Sequence, residues 1–210
     1  SCLYPSMCDN LFFDHRHLLA IYRKSENVPG VKKVFVSSGV RYDLLLCGDQ
    51  DKRKKYSCEE YFQKLVMDHV PGRLKVAPEH TSARVLNFMR KPSYSLFEKF
   101  RRIFEKISGA AGRKQQVVPY FISSHPGSEL EDMAELAVIT KNEGFRLEQD
   151  QDFTPTPMTL SSVMYYTGTD PYTGQKVYCA RSSVERNDQR SFFFWYKDEN
   201  REKLKRRLKK

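Results

Sequence analysis

Between Gln115 and Ile139 the chain reads "QQVVPYFISSHPGSELEDMAELAVI": an apolar run, a polar break at Ser123-Ser124-His125-Pro126-Gly127, then acids followed by helical spacing. The run predicts a strand buried on both faces and the acidic stretch predicts a helix from Ser128 to Asn142, with acids in its first turn where the dipole favours them. The same alternation extends upstream. Leu11, Leu18, Leu19 and Tyr22 predict a helix within Asn10 to Asn27, ended by Pro29-Gly30. "VKKVFVSS", Val31 to Ser38, reads as a β-branched strand. Ser57 with Glu60 three residues later forms a capping-box pattern that opens a helix through Val70. "RLKVA" is a short strand, and apolar residues at 85, 86 and 89 place a helix between Ser82 and Arg90. Ser93 to Ile107 carries Leu96, Phe97, Phe100, Ile103, Phe104 and Ile107 on one face, a strong amphipathic pattern. A last strand is expected from Phe145 to about Gln151.

Helices alternate with strands and no tight hairpin joins consecutive strands, which implies an α/β fold with parallel strands and right-handed helical crossovers. Four strands are too few for a closed eight-stranded barrel, so an open sheet or part-barrel remains. The α/β part is expected to occupy residues 1–157. Residues 158–210 read as an appendage, with turns at Asp170-Pro171 and Thr173-Gly174, an aromatic run from Phe192 to Tyr196, and a basic terminal helix. The aromatic run is read as core rather than as a base-stacking surface.

Composition narrows the class. A chain of 210 residues, 40% hydrophobic and 30% charged, suffices for one sizeable globular core. No apolar run approaches the roughly 18 residues needed to span a bilayer, so no membrane association is expected. The chain lacks an initiating Met and opens in a cysteine-containing loop, which suggests a piece of something longer. Five cysteines at scattered positions, none in a CxxC pair, suggest a reducing compartment and a cytoplasmic location. Cys2 and Cys8 have five residues between them, and read as free thiols or as two loop ligands of a metal or iron–sulfur site. The formal charge is +10, and Lys197 to Lys210 holds eight Lys or Arg against three acids. That tail is a solvated helix or a grip on nucleic acid; with no aromatic residues interleaved among its charges, the first reading is preferred.

In parallel α/β folds the ligand lies beyond the carboxyl ends of the strands, where loops and helix N-termini converge. The residues delivered there are Ser37, Ser38, Gly39 and Arg41; Glu79, His80 and Thr81; Ser123, Ser124, His125 and Gly127; and Gln149, Asp150 and Asp152. Each set alone reads as ordinary turn and cap chemistry, with Ser128 an N-cap and His80 or His125 a hydrogen-bonded structural group. Taken together they predict a polar site. Gly127 would let the backbone approach a ligand, and the following helix N-terminus would offer N–H groups to an anion.

Two stretches carry a family resemblance. "APEHTSARVLNFMRK" and "FISSHPGSELEDM" resemble the fourth- and fifth-strand segments of radical S-adenosylmethionine (SAM) enzymes of the methylthiotransferase and elongator type. Together with "SCLYPSMC", "SSGVRYD", "QDFTPTPMT", "MYYTG" and "DPYTG", the closer resemblance is to the YgiQ family of radical SAM proteins. That resemblance implies a part-barrel of about six βα units binding SAM beside a 4Fe-4S cluster that generates a 5′-deoxyadenosyl radical. It implies that this chain holds only the later βα units and the appendage, with the cluster's CxxxCxxC in a missing amino-terminal half. No CxxxCxxC occurs here, so the chain alone is expected to bind neither cofactor and to be inactive. The resemblance places Glu79 and Ser82 at SAM-proximal positions, Ser123, Ser124 and Gly127 beside the adenosyl part, and His80 and His125 at the same mouth. Cys2 and Cys8 fall in a Cys-rich stretch of the family, implying an auxiliary metal role. The related families further imply RNA or protein as the substrate or partner.

Overall fold

The structure, a computed structural model, describes residues 3–46, 48, 50–149 and 151–207. In chain order it contains α1 (Arg16–Glu26), α2 (Tyr42–Leu46), α3 (Gln50–Lys55) and α4 (Cys58–Lys64), which runs on into a π-helical turn at Leu65–His69. There follow β1 (Arg73–Glu79), α5 (Ala83–Met89), α6 (Tyr94–Ala110), β2 (Gln116–Ser123), α7 (Leu130–Asn142) and β3 (Gln151–Asp152). Three helices close the chain: α8 (Leu160–Thr167), α9 (Ser183–Ser191) and α10 (Asp198–Arg207). The sheet order is β1-β2-β3, and β2 pairs with β3 in parallel, Ile122 opposite Gln151 and Ser123 opposite Asp152. The α/β class and the parallel sheet are as the alternation predicts.

Two compact units share the chain, and the division falls within β1 and β2. One unit comprises residues up to Ala77 with Ser95–Pro119; the other comprises Pro78–Tyr94 with residues from Tyr120 onward. Residues 158–207 lie in the second unit together with α5 and α7.

The first unit is organised by the apolar stripe of α6. Phe97, Phe100 and Phe104 are fully buried, while Ile103 and Ile107 are half-exposed. Phe62 of α4 stacks on Phe100 with ring centroids 4.9 Å apart and planes 3° from parallel, and Tyr42 of α2 packs against Phe97 and Phe100. Fully burying one such aromatic side chain contributes about 1.5–3 kcal/mol, so α6 is the main apolar anchor of this unit. In the second unit Phe121, Met133, Leu136, Met164 and Phe193 are buried at 1% exposure or less. Phe192 is buried as well, so the front of the aromatic run is core.

Four expectations fail, each for a local reason. Val31–Ser38 is not a strand: Val36 N–H reaches His69 O and Lys75 N–H reaches Ser37 O, but Val31 and Phe35 stay exposed. A β-branched sequence without a buried face does not recruit a full ladder. The Ser57 capping box does not form, because Ser57 sits at φ 50, in the left-handed region, and caps nothing with its side chain. The last strand shrinks to Gln151–Asp152, because Leu147 turns into the core and its carbonyl accepts from Tyr196 Oη at 2.9 Å. β2 is not equally buried on both faces; Val117, Pro119, Phe121 and Ser123 are buried while the alternate residues are half-exposed, as on a sheet with one core face. Two helices, α8 and α9, flank the expected turns at Asp170-Pro171 and Thr173-Gly174, in segments where the pattern predicts no element. The signal for α9 was present, since Ser182 and Glu185 form a reciprocal capping box.

Candidate functional site

β1 and β2 end alike. Glu79 at φ 71 and Ser124 at φ 59 are left-handed, non-glycine residues, and each is followed by a buried histidine, His80 or His125. Around Glu79 the chain closes on itself, His80 N–H donating to Pro78 O at 2.9 Å. Such left-handed positions cost on the order of 1–3 kcal/mol each and persist only where the surroundings hold them.

Those surroundings are a hydrogen-bonded polar cluster. His125 contacts the Pro126 carbonyl through Nδ1 at 2.8 Å and the Ser161 hydroxyl through Nε2 at 2.8 Å. A carbonyl only accepts, so Nδ1 carries the proton and Nε2 receives the hydroxyl's hydrogen. Ser82 N–H donates to His80 Nδ1 at 3.0 Å, which puts the His80 proton on Nε2, a buried atom without a hydrogen-bond partner among the described residues. Burial pushes both imidazoles down to about 4, and for His80 the Asp132 carboxylate partly opposes that shift. Both rings are therefore neutral at physiological pH.

Asp132, read from sequence as a first-turn acid, is the hub of this cluster. It accepts from Ser82 Oγ at 2.7 Å, from Glu129 N–H at 2.9 Å and from the Arg84 guanidinium, which also reaches Glu129 at 2.7 Å. Glu129, not Ser128, is the N-cap of α7, and Glu129 and Asp132 cap each other reciprocally. Four N–H groups around the start of α7 are engaged within the chain: Gly127 on Tyr178 O, Ser128 on His125 O, Glu129 on the Asp132 carboxylate and Asp132 on the Glu129 side chain. Gly127 itself serves packing. At φ 88, a Cβ there would lie 2.2 Å from Cδ2 of Phe88, so the space beside it holds that ring and not a ligand.

Ser123 Oγ lies 3.2 Å from Asp152, whose carboxylate also receives Arg186 Nε at 2.7 Å. Gln189, fully buried in α9, takes Ser124 N–H on Oε1 at 2.8 Å and gives Nε2–H to Ser128 O at 2.6 Å. Beyond the strand ends lies a cavity of about 240 Å³, lined by Glu79, Lys91, His125, Gln151, Thr154 and Ser161 among others. Lys91 donates to Glu79 at 3.2 Å, so the cavity offers one cation and one carboxylate side by side. Of the seven residues predicted for the site, Glu79 and His125 line the cavity; His80, Ser82, Ser123, Ser124 and Gly127 do not. Asp150, predicted at the same edge, lies outside the described residues. Lys91, Ser161 and Gln189 were missed, since each comes from a helix or a turn and not from a strand end.

Over its whole length the chain is 53% identical to a UPF0313 protein of Bacteroides thetaiotaomicron. It is 55% identical over 208 residues to one of Porphyromonas gingivalis, and 44% identical over 207 residues to one of Methanocella arvoryzae. The chain belongs to the UPF0313, or YgiQ-type, family. It matches the carboxy-terminal part of these proteins and spans about a third of their length, 34% of the first and 33% of the other two. Within it, residues 148–210 match a family described as a domain of unknown function, DUF3362.

In this UPF0313 segment the three described cysteines are free thiols. Cys8 is exposed, and Cys58 is buried with Sγ 3.7 Å from His15 Nδ1. Cys179 is half-buried, its thiol pushed up by burial. Among the described residues no three His, Cys, Asp or Glu side chains converge on a point that would hold a metal ion. Cys2 and Cys47 lie outside the described residues. Nor, among those residues, is any helix of the UPF0313 segment long and apolar enough to cross a membrane.

Proposed function

We propose that this chain is the carboxy-terminal wall of a radical SAM active site, its strands being the later strands of a part-barrel whose earlier strands lie elsewhere in the full-length protein. What supports the reading is the cavity at the carboxyl ends of parallel strands, where Glu79 and Lys91 stand as a charged pair beside neutral His125. The donor set suits a zwitterionic amino-acid moiety such as the methionyl end of SAM: Glu79 takes an ammonium, Lys91 a carboxylate, and the threonine hydroxyls at 154 and 156 complete the polar rim. About 240 Å³ is below the roughly 300–1,000 Å³ of pockets that enclose a whole ligand, so this wall holds part of the molecule. The described residues do not fit a site-differentiated 4Fe-4S cluster, which needs three thiolates, and the cluster is assigned to the rest of the protein.

SAM bound to such a cluster supplies a 5′-deoxyadenosyl radical. This chain's own residues bind and orient. His125, kept neutral by burial and tautomerically set by the Pro126 carbonyl, takes the Ser161 hydroxyl hydrogen on Nε2 and so orients that oxygen at the cavity without adding charge. The Asp132 and Gln189 networks hold both left-handed strand ends in place. On this reading the 210-residue chain by itself does not cleave SAM.

The test uses the full-length protein, reconstituted anaerobically. A 4Fe-4S signal by electron paramagnetic resonance and 5′-deoxyadenosine formed from SAM with dithionite are expected. Glu79→Gln and Lys91→Ala are expected to raise the SAM concentration required about tenfold, roughly 1.4 kcal/mol of binding, with the cluster signal unchanged. Absence of both the signal and 5′-deoxyadenosine sinks the reading.

A further inference from the structure

A second concave surface of the same unit, between α7 and the last two helices, carries chemistry that the strand-end site does not use. The groove has a volume of about 600 Å³. Its floor is apolar, with Ala137, Phe192 and Leu204 buried, and one side is closed by Trp195 and Tyr196 in an edge-to-face pair with centroids 5.7 Å apart. Its rim holds Lys141, Arg146, Arg201 and Lys205, and no acidic residue lines it among the described residues. All four cations are exposed. Lys205 is shared with Glu202 at 2.8 Å, whereas neither Arg146 nor Arg201 makes an ion pair among the described residues. Lys141 Nζ lies 5.6 Å from the centre of the Trp195 ring.

One buried polar atom of the aromatic wall is left without a partner. Trp195 Nε1 is buried and has no hydrogen-bond partner among the described residues, whereas the neighbouring Tyr196 hydroxyl is satisfied by the Leu147 carbonyl. A buried indole N–H normally finds an acceptor. Four cations on the rim, only Lys205 of them paired with an acid among the described residues, around an aromatic wall match an anionic, aromatic ligand: phosphates meet the guanidinium and ammonium groups, and a base meets the indole. The sequence pattern reads Phe192–Tyr196 as core and the basic tail as a helix without interleaved aromatic residues. The fold brings Trp195 of that run, from the turn before α10, together with Lys141 of α7 and Arg146 of the loop after it.

We infer that this groove is a binding site for single-stranded nucleic acid, with phosphates held by Arg146, Arg201 and Lys205 and one base packed on Trp195. A duplex does not suit it, because paired bases cannot leave the stack to reach the indole. The inference is independent of the strand-end cavity and of its cofactor.

Trp195 is the sole tryptophan of the 210-residue chain, so its fluorescence reports the groove directly. The experiment titrates the chain with a short single-stranded oligoadenylate, the same length of duplex RNA, inorganic polyphosphate and polyglutamate, following Trp195 emission and the anisotropy of labelled probes. The single strand is expected to quench the indole. Its affinity is expected to fall roughly tenfold to twentyfold between about 50 and 200 mM salt, the dependence set by about three phosphate contacts. Arg146→Glu with Arg201→Glu is expected to weaken binding at least about tenfold with an unchanged circular dichroism spectrum, and Trp195→Phe to weaken it less than the charge reversal. Equal binding of polyphosphate or polyglutamate overturns the inference, as does an unquenched indole. Loss of binding on removing residues 208–210, with none in the Arg146 and Arg201 variant, also overturns it, because the tail and not the groove is then the binder.

Discussion

Ser161 donates its hydroxyl hydrogen to His125 Nε2 at 2.8 Å, and that bond exists only while the imidazole is neutral. Burial pulls the pKa of His125 from its ordinary 6.5 to about 4, and His80 beside Asp132 and Arg84 behaves the same way. Between pH 6.5 and about 4 the unfolded chain therefore binds protons that the folded chain refuses. Stability is fully present above 6.5 and falls as the pH drops through that window. The melting temperature is expected to decline by several degrees from pH 7 to pH 4.5, and His125→Gln is expected to flatten the decline. A melting temperature independent of pH over this range would remove the neutral, buried assignment.

Gln189 bridges two backbone groups, Ser124 N–H and Ser128 O. Gln189→Ala leaves both unsatisfied in a buried setting, at about 1–3 kcal/mol each. Gln189→Glu keeps the acceptor for Ser124 and loses the donor to Ser128. Chemical denaturation is expected to rank the two below the parent, with an unchanged denaturant slope. Equal stability of the alanine variant would show that water replaces the amide at no cost.

Asp132 gathers Ser82, Arg84 and the Glu129 N–H around one carboxylate. Removing one partner of a buried ion pair costs about 3–5 kcal/mol, and Arg84 is half-exposed, so a loss of roughly half that is expected for Asp132→Ala. Asp132→Asn keeps the shape and one acceptor oxygen and is expected to lose less. Ser82→Ala, which removes a single neutral donor, is expected to cost only about 0.5–1.5 kcal/mol. Urea unfolding of the three variants checks the order.

Gly127→Ala places a Cβ 2.2 Å from Phe88 Cδ2 at a backbone φ of 88. Both terms oppose folding, so a loss above about 1–3 kcal/mol is expected. Phe88→Leu in the same chain relieves the contact but not the backbone strain, so recovery should be partial. Full recovery would assign the glycine to packing alone; no recovery would assign it to backbone conformation alone.

Local pattern carried the helices well. α1, α5, α6 and α7 fall within or close to their predicted spans because a 3.6-residue stripe and its Pro or Gly stops are properties of neighbouring residues. Strands fared worse. Val31–Ser38 has the composition of one and does not become one, while the run expected from Phe145 to about Gln151 meets the observed Gln151–Asp152 strand only at its end. Whether a segment joins a sheet depends on which edge meets it, and that is a contact between distant residues.

The strand ends divide along the same line. Chain order and turn chemistry were enough to bring Glu79 and His125 to one cavity, because parallel strands present their carboxyl ends at one edge. Nothing in the local sequence tells Ser82, which is spent on Asp132 fifty residues away, from Glu79, which lines the cavity beside Lys91. A hydroxyl or carboxylate has the same chemistry in both places. Its role is decided by which partner the packing brings within about 3 Å, as Ser161 is brought to His125 and Ser82 to Asp132, and only the tertiary structure makes that choice.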